Sequence, residues 1–366
     1  MTDKTLFSEL KTASRHRIGV ITLDSEKTLN ALDQGMLDAL YDRLQRWRSD
    51  PDIACIMMQG EGEKAFCAGG DIRSLRQAIL AGDSEAATRF FEKEYRLDYL
   101  IHTYNKPVVC WGNGIVMGGG IGLMSGAAFR VVTDTSVMAM PEVSIGLYPD
   151  VGGSWQLGRM PEGIGLFMAL TGCRLNAADA IYLGLGNRFI DHAFRNNILE
   201  ALQAASWGED DYSTVYDIVQ HFADNSAGWL PYSKIREYRD LIGTMMNQPA
   251  LESIIKTLEE LNTEDEWLQA CRSTALAGSP LSSAIAYRQL QVTRHCSLKE
   301  AFQSELSLSV NCTLHGDVNE GVRALLVDKN RNPDWRFASV KDIPPEELDK
   351  FFQPPWGAGS HPLEDL

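Results

Sequence analysis

Two glycine-rich segments and one acid-bearing loop contain the residues best suited to chemistry. The first segment is Ala65-Phe66-Cys67-Ala68-Gly69-Gly70-Asp71, and the second is Gly112-Asn113-Gly114-Ile115-Val116-Met117-Gly118-Gly119-Gly120. Each reads as following an apolar strand and opening an apolar helix. One such cluster signals only a tight turn, since glycine reaches positive φ at little cost. A pair says more, because helix N-termini carry unpaired N–H groups and the positive end of the dipole. Two N–H groups converging on one carbonyl oxygen would form an oxyanion hole. The loop Met140–Gly153 then places Glu142 and Asp150 eight residues apart. Loop acids are usually solvated. Here Met140, Val143, Ile145, Leu147 and Tyr148 imply that the loop packs, and a partly buried carboxylate can serve as base, acid or nucleophile.

The elements that would position these groups alternate between strand and helix. Ile18–Leu23 and Ile53–Gln59 read as strands by their β-branched and apolar content. Between them, Leu37, Leu40, Leu44 and Trp47 mark one helical face. Ile72–Tyr104 reads as helical with a break near Ala81-Gly82-Asp83, Val108–Trp111 as a strand, and Ile121–Ala127 as a short buried helix. Arg130–Met140 alternates as one strand would, and Asn187–Ile190 is the last strand expected. This order implies an α/β unit with buried strands. Beyond residue 200 helical spacing dominates, as in Leu251, Ile254, Leu258 and Ala301, Phe302, Leu306. The expected division is a core with the active site over 1–200, a helical region over 201–345 and a frayed tail over 346–366. Trp229, Trp267 and Trp335 are expected as core anchors of the helical region.

Composition narrows the function. A formal charge of −15 argues against a nucleic-acid surface but permits a local basic patch for a phosphorylated ligand. The seven cysteines are scattered without a CxxC pair, and the seven histidines are dispersed, so neither a disulfide framework nor a metal site is expected. Met1–Arg17 lacks an apolar core and includes Asp3 and Glu9, and Gly114–Phe129 is too short and glycine-rich to span a bilayer. The expected location is cytoplasmic, with no membrane partner. Gly112-Asn113-Gly114 lacks the third glycine of a dinucleotide fingerprint.

Together, AFCAGGDI, NKPVVCWGNGIVMGGGIGL and MPEVSIGLYPDVGG resemble the crotonase (enoyl-CoA hydratase/isomerase) superfamily. SPLSSAIAYRQL at 279–290 and EGVRALLVDKNRNPDW at 320–335 resemble its C-terminal part. The resemblance implies an α/β, crotonase-like spiral of ββα units with a helical C-terminal region, and an acyl-CoA thioester substrate. The N–H groups of Gly70 and Gly119 would form the oxyanion hole. Hydratases of the family use two glutamates; Gly122 stands at the first position and Glu142 at the second, which disfavours water addition to a double bond. Asp150 stands where hydratases usually have glycine. That segment, Glu94 within FFEKEYRLDYLI and the NPDW ending are similar to a thioester-hydrolysing branch acting on 3-hydroxyisobutyryl-CoA from valine breakdown.

By the same resemblance, Glu142 would activate water or attack directly, Asp150 would move a proton or orient the water, and Glu94 would hold the 3-hydroxyl. Gly69, Asp71 and Ile72 would border the substrate. Lys27, in the turn Ser25–Leu32, would meet a coenzyme A phosphate as a point charge. No separate cofactor or metal is implied, coenzyme A being part of the substrate. The family often forms trimers, which leaves a homo-oligomer open. Two other readings also stand at this point: an enoyl- or dienoyl-CoA isomerase or hydratase of the same superfamily, and a non-catalytic acyl-CoA-binding protein.

Overall fold

Ile53–Gly60 is buried at every residue but one, as a strand covered on both faces must be. The structure, a computed structural model, describes residues 4–161, 163–208, 210–357 and 361–366. In chain order its strands are β1 (Thr5–Lys11), β2 (Arg17–Leu23), β3 (Ile53–Gly60), β4 (Ala65–Cys67), β5 (Val108–Gly112), β6 (Ile115–Met117), β7 (Phe129–Val132), β8 (Val137–Ala139) and β9 (Arg188–Phe189). The first five α-helices are α1 (Gln34–Ser49), α2 (Ile72–Leu80), α3 (Ala86–His102), α4 (Gly119–Ser125) and α5 (Gly153–Leu157). Later helices are named by their ranges.

The chain forms two units. One comprises Met1–Gly70, Leu97–Met138 and Arg174–Glu237. Its main sheet has the order β1-β2-β3-β5-β7-β9, antiparallel at β1 and parallel from β2 onward. Side chains alternate across a strand. Ile18 and Val20, Cys55 and Met57, Val109 and Trp111, and Phe129 and Val131 therefore share one face. There they join Ile198, Leu202, Val215 and Val219 of the helices Arg195–Ala204 and Asp211–Ser226 in one core. This packing corrects the boundary expected near residue 200, because the helices just beyond it complete the core of the sheet. On α1 the expected stripe Leu37, Leu40, Leu44 and Trp47 is buried, and Asp33 caps the helix by accepting the Met36 N–H.

The smaller sheet has the order β4-β6-β8. β4 and β6 pair in parallel, Ala65 with Ile115 and Cys67 with Val116. Each glycine segment thus has a short strand of its own, where the sequence suggested a direct run on from the longer strand before it. The stretch read as one strand over Arg130–Met140 divides into β7 and β8, with a turn in which Ser136 Oγ accepts the Thr133 N–H at 2.7 Å.

The other unit comprises Asp71–Arg96, Ala139–Cys173 and Tyr238–Leu366 and is helical. Its longest helix, Leu298–His315, opens on a capping box between Ser297 and Glu300 and is buried along most of its length, polar residues included. The expectation of a frayed tail is corrected here. Pro345–Phe351 is a helix, Leu363 is fully buried, and Gln303 donates to the Leu363 carbonyl at 2.9 Å. Arg96 also pairs with Asp365, and Lys299 donates to the Glu364 carbonyl, so the end is docked by polar contacts as well as by Leu363. Residues 358–360 of that tail lie outside the described residues. The tryptophan expectation is also corrected: Trp229 is exposed, while Trp267 and Trp335 are half-buried. Trp335 donates its indole N–H to the Ala277 carbonyl, a polar use that keeps the ring near the surface.

Candidate active site

In the first unit the parallel pairing of β4 and β6 brings the two glycine segments side by side. A Cβ built on Gly69 would lie 3.3 Å from the Met117 carbonyl oxygen and 3.6 Å from the Gly119 nitrogen. Gly119 is the first residue of α4, where amide groups have no acceptor within the helix. Gly70 forms an isolated bridge with Leu32. Close approach explains Gly120, whose Cβ would fall 2.3 Å from the Cys67 carbonyl oxygen. The turn Ser25–Leu32 is stitched to the first segment: Ala68 N–H donates to Leu29 at 3.0 Å, and Leu32 N–H to Gly69 at 2.8 Å. Buried Asn30 adds a bond to the Ala65 carbonyl at 2.9 Å. Lys27 is exposed on this turn.

The second unit gathers the acids. Glu94 on α3, Glu142 at the start of the 3-10 turn Glu142–Ile145, and Asp150 before α5 are 2%, 5% and 4% exposed. Gly146 closes that 3-10 turn at a φ of 77°. Its missing side chain also admits the backbone of Asp317, which a Cβ would meet at 2.3 Å. Among the described residues, Glu94 Oε1 and Glu142 Oε2 are buried with no hydrogen-bond partner. Such atoms are costly to leave unpaired unless a ligand completes them. Asp71 accepts from the Ser74 N–H and hydroxyl as the N-cap of α2, and Ile72, half-buried, follows it.

Asp150 is held from residues that the sequence did not single out for this role. Tyr95 donates to Asp150 Oδ2 at 2.6 Å, and Ser309 Oγ lies 2.7 Å from the Tyr95 hydroxyl and 3.0 Å from that of Tyr148. Fully buried Glu305 accepts the N–H groups of Gly152 at 2.7 Å and Ser154 at 3.1 Å, and the Ser154 hydroxyl at 2.5 Å. The one available signal was Glu305 with Ser309 four residues later, on one face of a helical run.

Environment separates the acids. Burial drives Glu94 and Glu142 well above the ordinary carboxylate range, and the charge of Asp150 adds to this. Burial also raises Asp150, but hydrogen bonds from Tyr95, its own backbone and Ser309 oppose it, leaving it pushed up to about 6. Glu305 is pushed up to about 8 by burial. The cluster therefore sets two glutamates raised by burial beside an Asp150 that its hydrogen bonds hold lower. Carboxyls set apart in this way can divide the roles of proton donor and proton acceptor. Among the described residues, no group of three or more His, Cys, Asp or Glu is arranged to hold a metal ion.

Similarity to known proteins shows the family and the fold. A family model described as enoyl-CoA hydratase/isomerase matches residues 18–352. A Xenopus tropicalis protein named 3-hydroxyisobutyryl-CoA hydrolase, mitochondrial, is 38% identical over 336 residues, covering 91% of this chain and 86% of that protein. Two solved structures match over nearly the whole chain. An enoyl-CoA hydratase from Rhodobacter sphaeroides 2.4.1 has a TM-score of 0.83 at 31% identity, covering 96% of this chain and 98% of its own. A carnitinyl-CoA dehydratase from Mycobacterium thermoresistibile has a TM-score of 0.85 at 30% identity, covering 96% and 97%. The α/β, crotonase-like fold with a helical C-terminal region, expected from the motifs, is the fold of this chain.

Proposed function

Because the chain belongs to the enoyl-CoA hydratase/isomerase family, we propose that it uses that scaffold to hydrolyse a short 3-hydroxyacyl-CoA thioester, namely 3-hydroxyisobutyryl-CoA of valine breakdown. The observation that carries this reading is the burial of Glu142 and Asp150 in one cluster, electrostatically linked yet set apart by the hydrogen bonds that Asp150 alone receives from Tyr95 and Ser309. Relatives named 3-hydroxyisobutyryl-CoA hydrolase, at 38% and 36% identity, support the choice of reaction.

In this reading the Gly70 and Gly119 N–H groups hold the thioester oxygen, and each such donor is worth about 2.7–4 kcal/mol as charge builds on it. Glu142 drives the attack, either as a carboxylate on the carbonyl carbon or by taking a proton from water. Asp150, ionised near neutrality, takes up the proton that Glu142 or water gives away. The C–S bond breaks, the thiolate takes that proton from Asp150 and leaves as coenzyme A, and water supplies the oxygen of the product acid. Glu94 meets the 3-hydroxyl with its unpaired Oε1. Gly69, Asp71 and Ile72 border the acyl group, and Lys27 meets a phosphate from its exposed turn. A thiol-release assay with 3-hydroxyisobutyryl-, 3-hydroxypropionyl- and isobutyryl-CoA tests the reading. Release of free coenzyme A from the hydroxylated substrates supports it. Rearranged or hydrated product with no thiol would make the chain an isomerase or hydratase, and no turnover would leave it a binding protein.

A further inference from the structure

The hydroxyl groups around Asp150 have few enough protons that their directions can be counted. Tyr95 has one, and it goes to Asp150 Oδ2 at 2.6 Å. The 2.7 Å contact between Tyr95 and Ser309 therefore needs the proton of Ser309. Whether that proton points to the phenol or to Asp150 itself, Ser309 donates toward the carboxylate. Its hydroxyl also lies 3.0 Å from that of Tyr148. Tyr148 has one proton as well, and it goes to the Glu305 carbonyl at 3.0 Å, one helical turn from Ser309. The result is a one-way chain, Ser309 to Tyr95 to Asp150, in which the first donation strengthens the second.

The backbone beside Asp150 is held with equal care. Val151 is β-branched yet has a φ of 53°, followed by Gly152 at 77°. A β-branched residue there is strained and persists only when its surroundings over-determine it. Glu305 supplies that hold through the Gly152 and Ser154 amides. Tyr95 is fixed between the rings of Phe91 and Phe302, at 5.8 and 5.6 Å.

We infer that Ser309 and Tyr95 are positioning residues that keep Asp150 ionised and aimed. This inference rests on the reading of Asp150 as the proton acceptor of thioester hydrolysis. The groups that face Asp150 make such help necessary. Glu94 and Tyr95 come from α3, Glu142 from the 3-10 turn, Tyr148 from its own loop, and Glu305 and Cys312 from Leu298–His315. None of these is a cation, so hydroxyl donors and one backbone donor offset the burial of the charge.

The test is a pair of titrations on the full chain. Carbon-13 NMR of aspartate-labelled protein follows the Asp150 carboxyl, assigned by its loss in Asp150→Asn, while kcat for thioester hydrolysis is measured against pH. Loss of a donor to the charged form raises the pKa of an acid. Ser309→Ala should therefore move both the NMR midpoint and the acid limb of kcat up by about one pH unit, with KM little changed. At the wild-type midpoint this lowers the ionised fraction, and with it kcat, about five-fold. Tyr95→Phe, which removes the direct donor, should shift both further, and it carries the test if Ser309→Ala does not fold. Midpoints within about 0.2 unit of wild type in the folded variants would overturn the inference. Wild-type protein that releases no thiol would remove the proposed reaction, but the NMR midpoints would still decide whether the chain of hydroxyls governs Asp150.

Discussion

Glu305 accepts the Gly152 N–H at 2.7 Å from 153 residues away, and so ties the helical C-terminal stretch to the turn that carries Asp150. Removing that carboxylate leaves the buried Gly152 and Ser154 amides without an acceptor, at about 1–3 kcal/mol each. Glu305→Ala should lower Tm by about 5 °C or more. Calorimetry at pH 7 measures this, and an unchanged Tm would mean that the turn holds itself.

Glu142 should show activity and stability moving in opposite directions. Folding raises its pKa well above the unfolded value of about 4.3. Between those values the folded state keeps a proton that the unfolded state releases, so stability falls as pH rises through that window. Glu142→Gln has no proton to lose. At pH 8 its Tm should exceed that of the wild type by about 2 °C or more, while kcat drops at least about 10³-fold. A variant both inactive and less stable at pH 8 would contradict the assignment.

Much of the fold was legible because its signals are local. The stripe Leu37, Leu40, Leu44 and Trp47 is periodic, and Ile53–Gly60 is continuously apolar. The acids Glu142 and Asp150 stood out as charges within an apolar loop. What stayed hidden depends on distant partners. Nothing near Ser309 says that two phenols from other elements will meet its hydroxyl. Nothing near Leu363 says that it will be buried, because composition describes the chain around a residue and not the surface that receives it. Helices beyond residue 200 joined the sheet for the same reason: Val215 and Val219 complete a core whose other half lies on β2, β3, β5 and β7.

Glu94 should govern the choice among acyl groups. Its buried Oε1 lacks a partner, and a site built for a hydroxyl penalises a substrate that lacks one. Isobutyryl-CoA should be hydrolysed about 10²-fold more slowly than 3-hydroxyisobutyryl-CoA, judged by kcat/KM. Glu94→Ala should shrink that preference while harming isobutyryl-CoA turnover much less. Retention of the full preference in the variant would place the discrimination elsewhere.

The most direct measurement sets two reactions side by side at equal enzyme concentration: thiol release from 3-hydroxyisobutyryl-CoA and hydration of crotonyl-CoA. Hydration by the paired-glutamate route needs a carboxylate at position 122, where this chain has a buried glycine on α4. Hydrolysis as proposed uses Glu142 and Asp150, both buried in the acid cluster. Fast thiol release with negligible hydration is the predicted result. Hydration as fast as hydrolysis, or faster, would contradict the account.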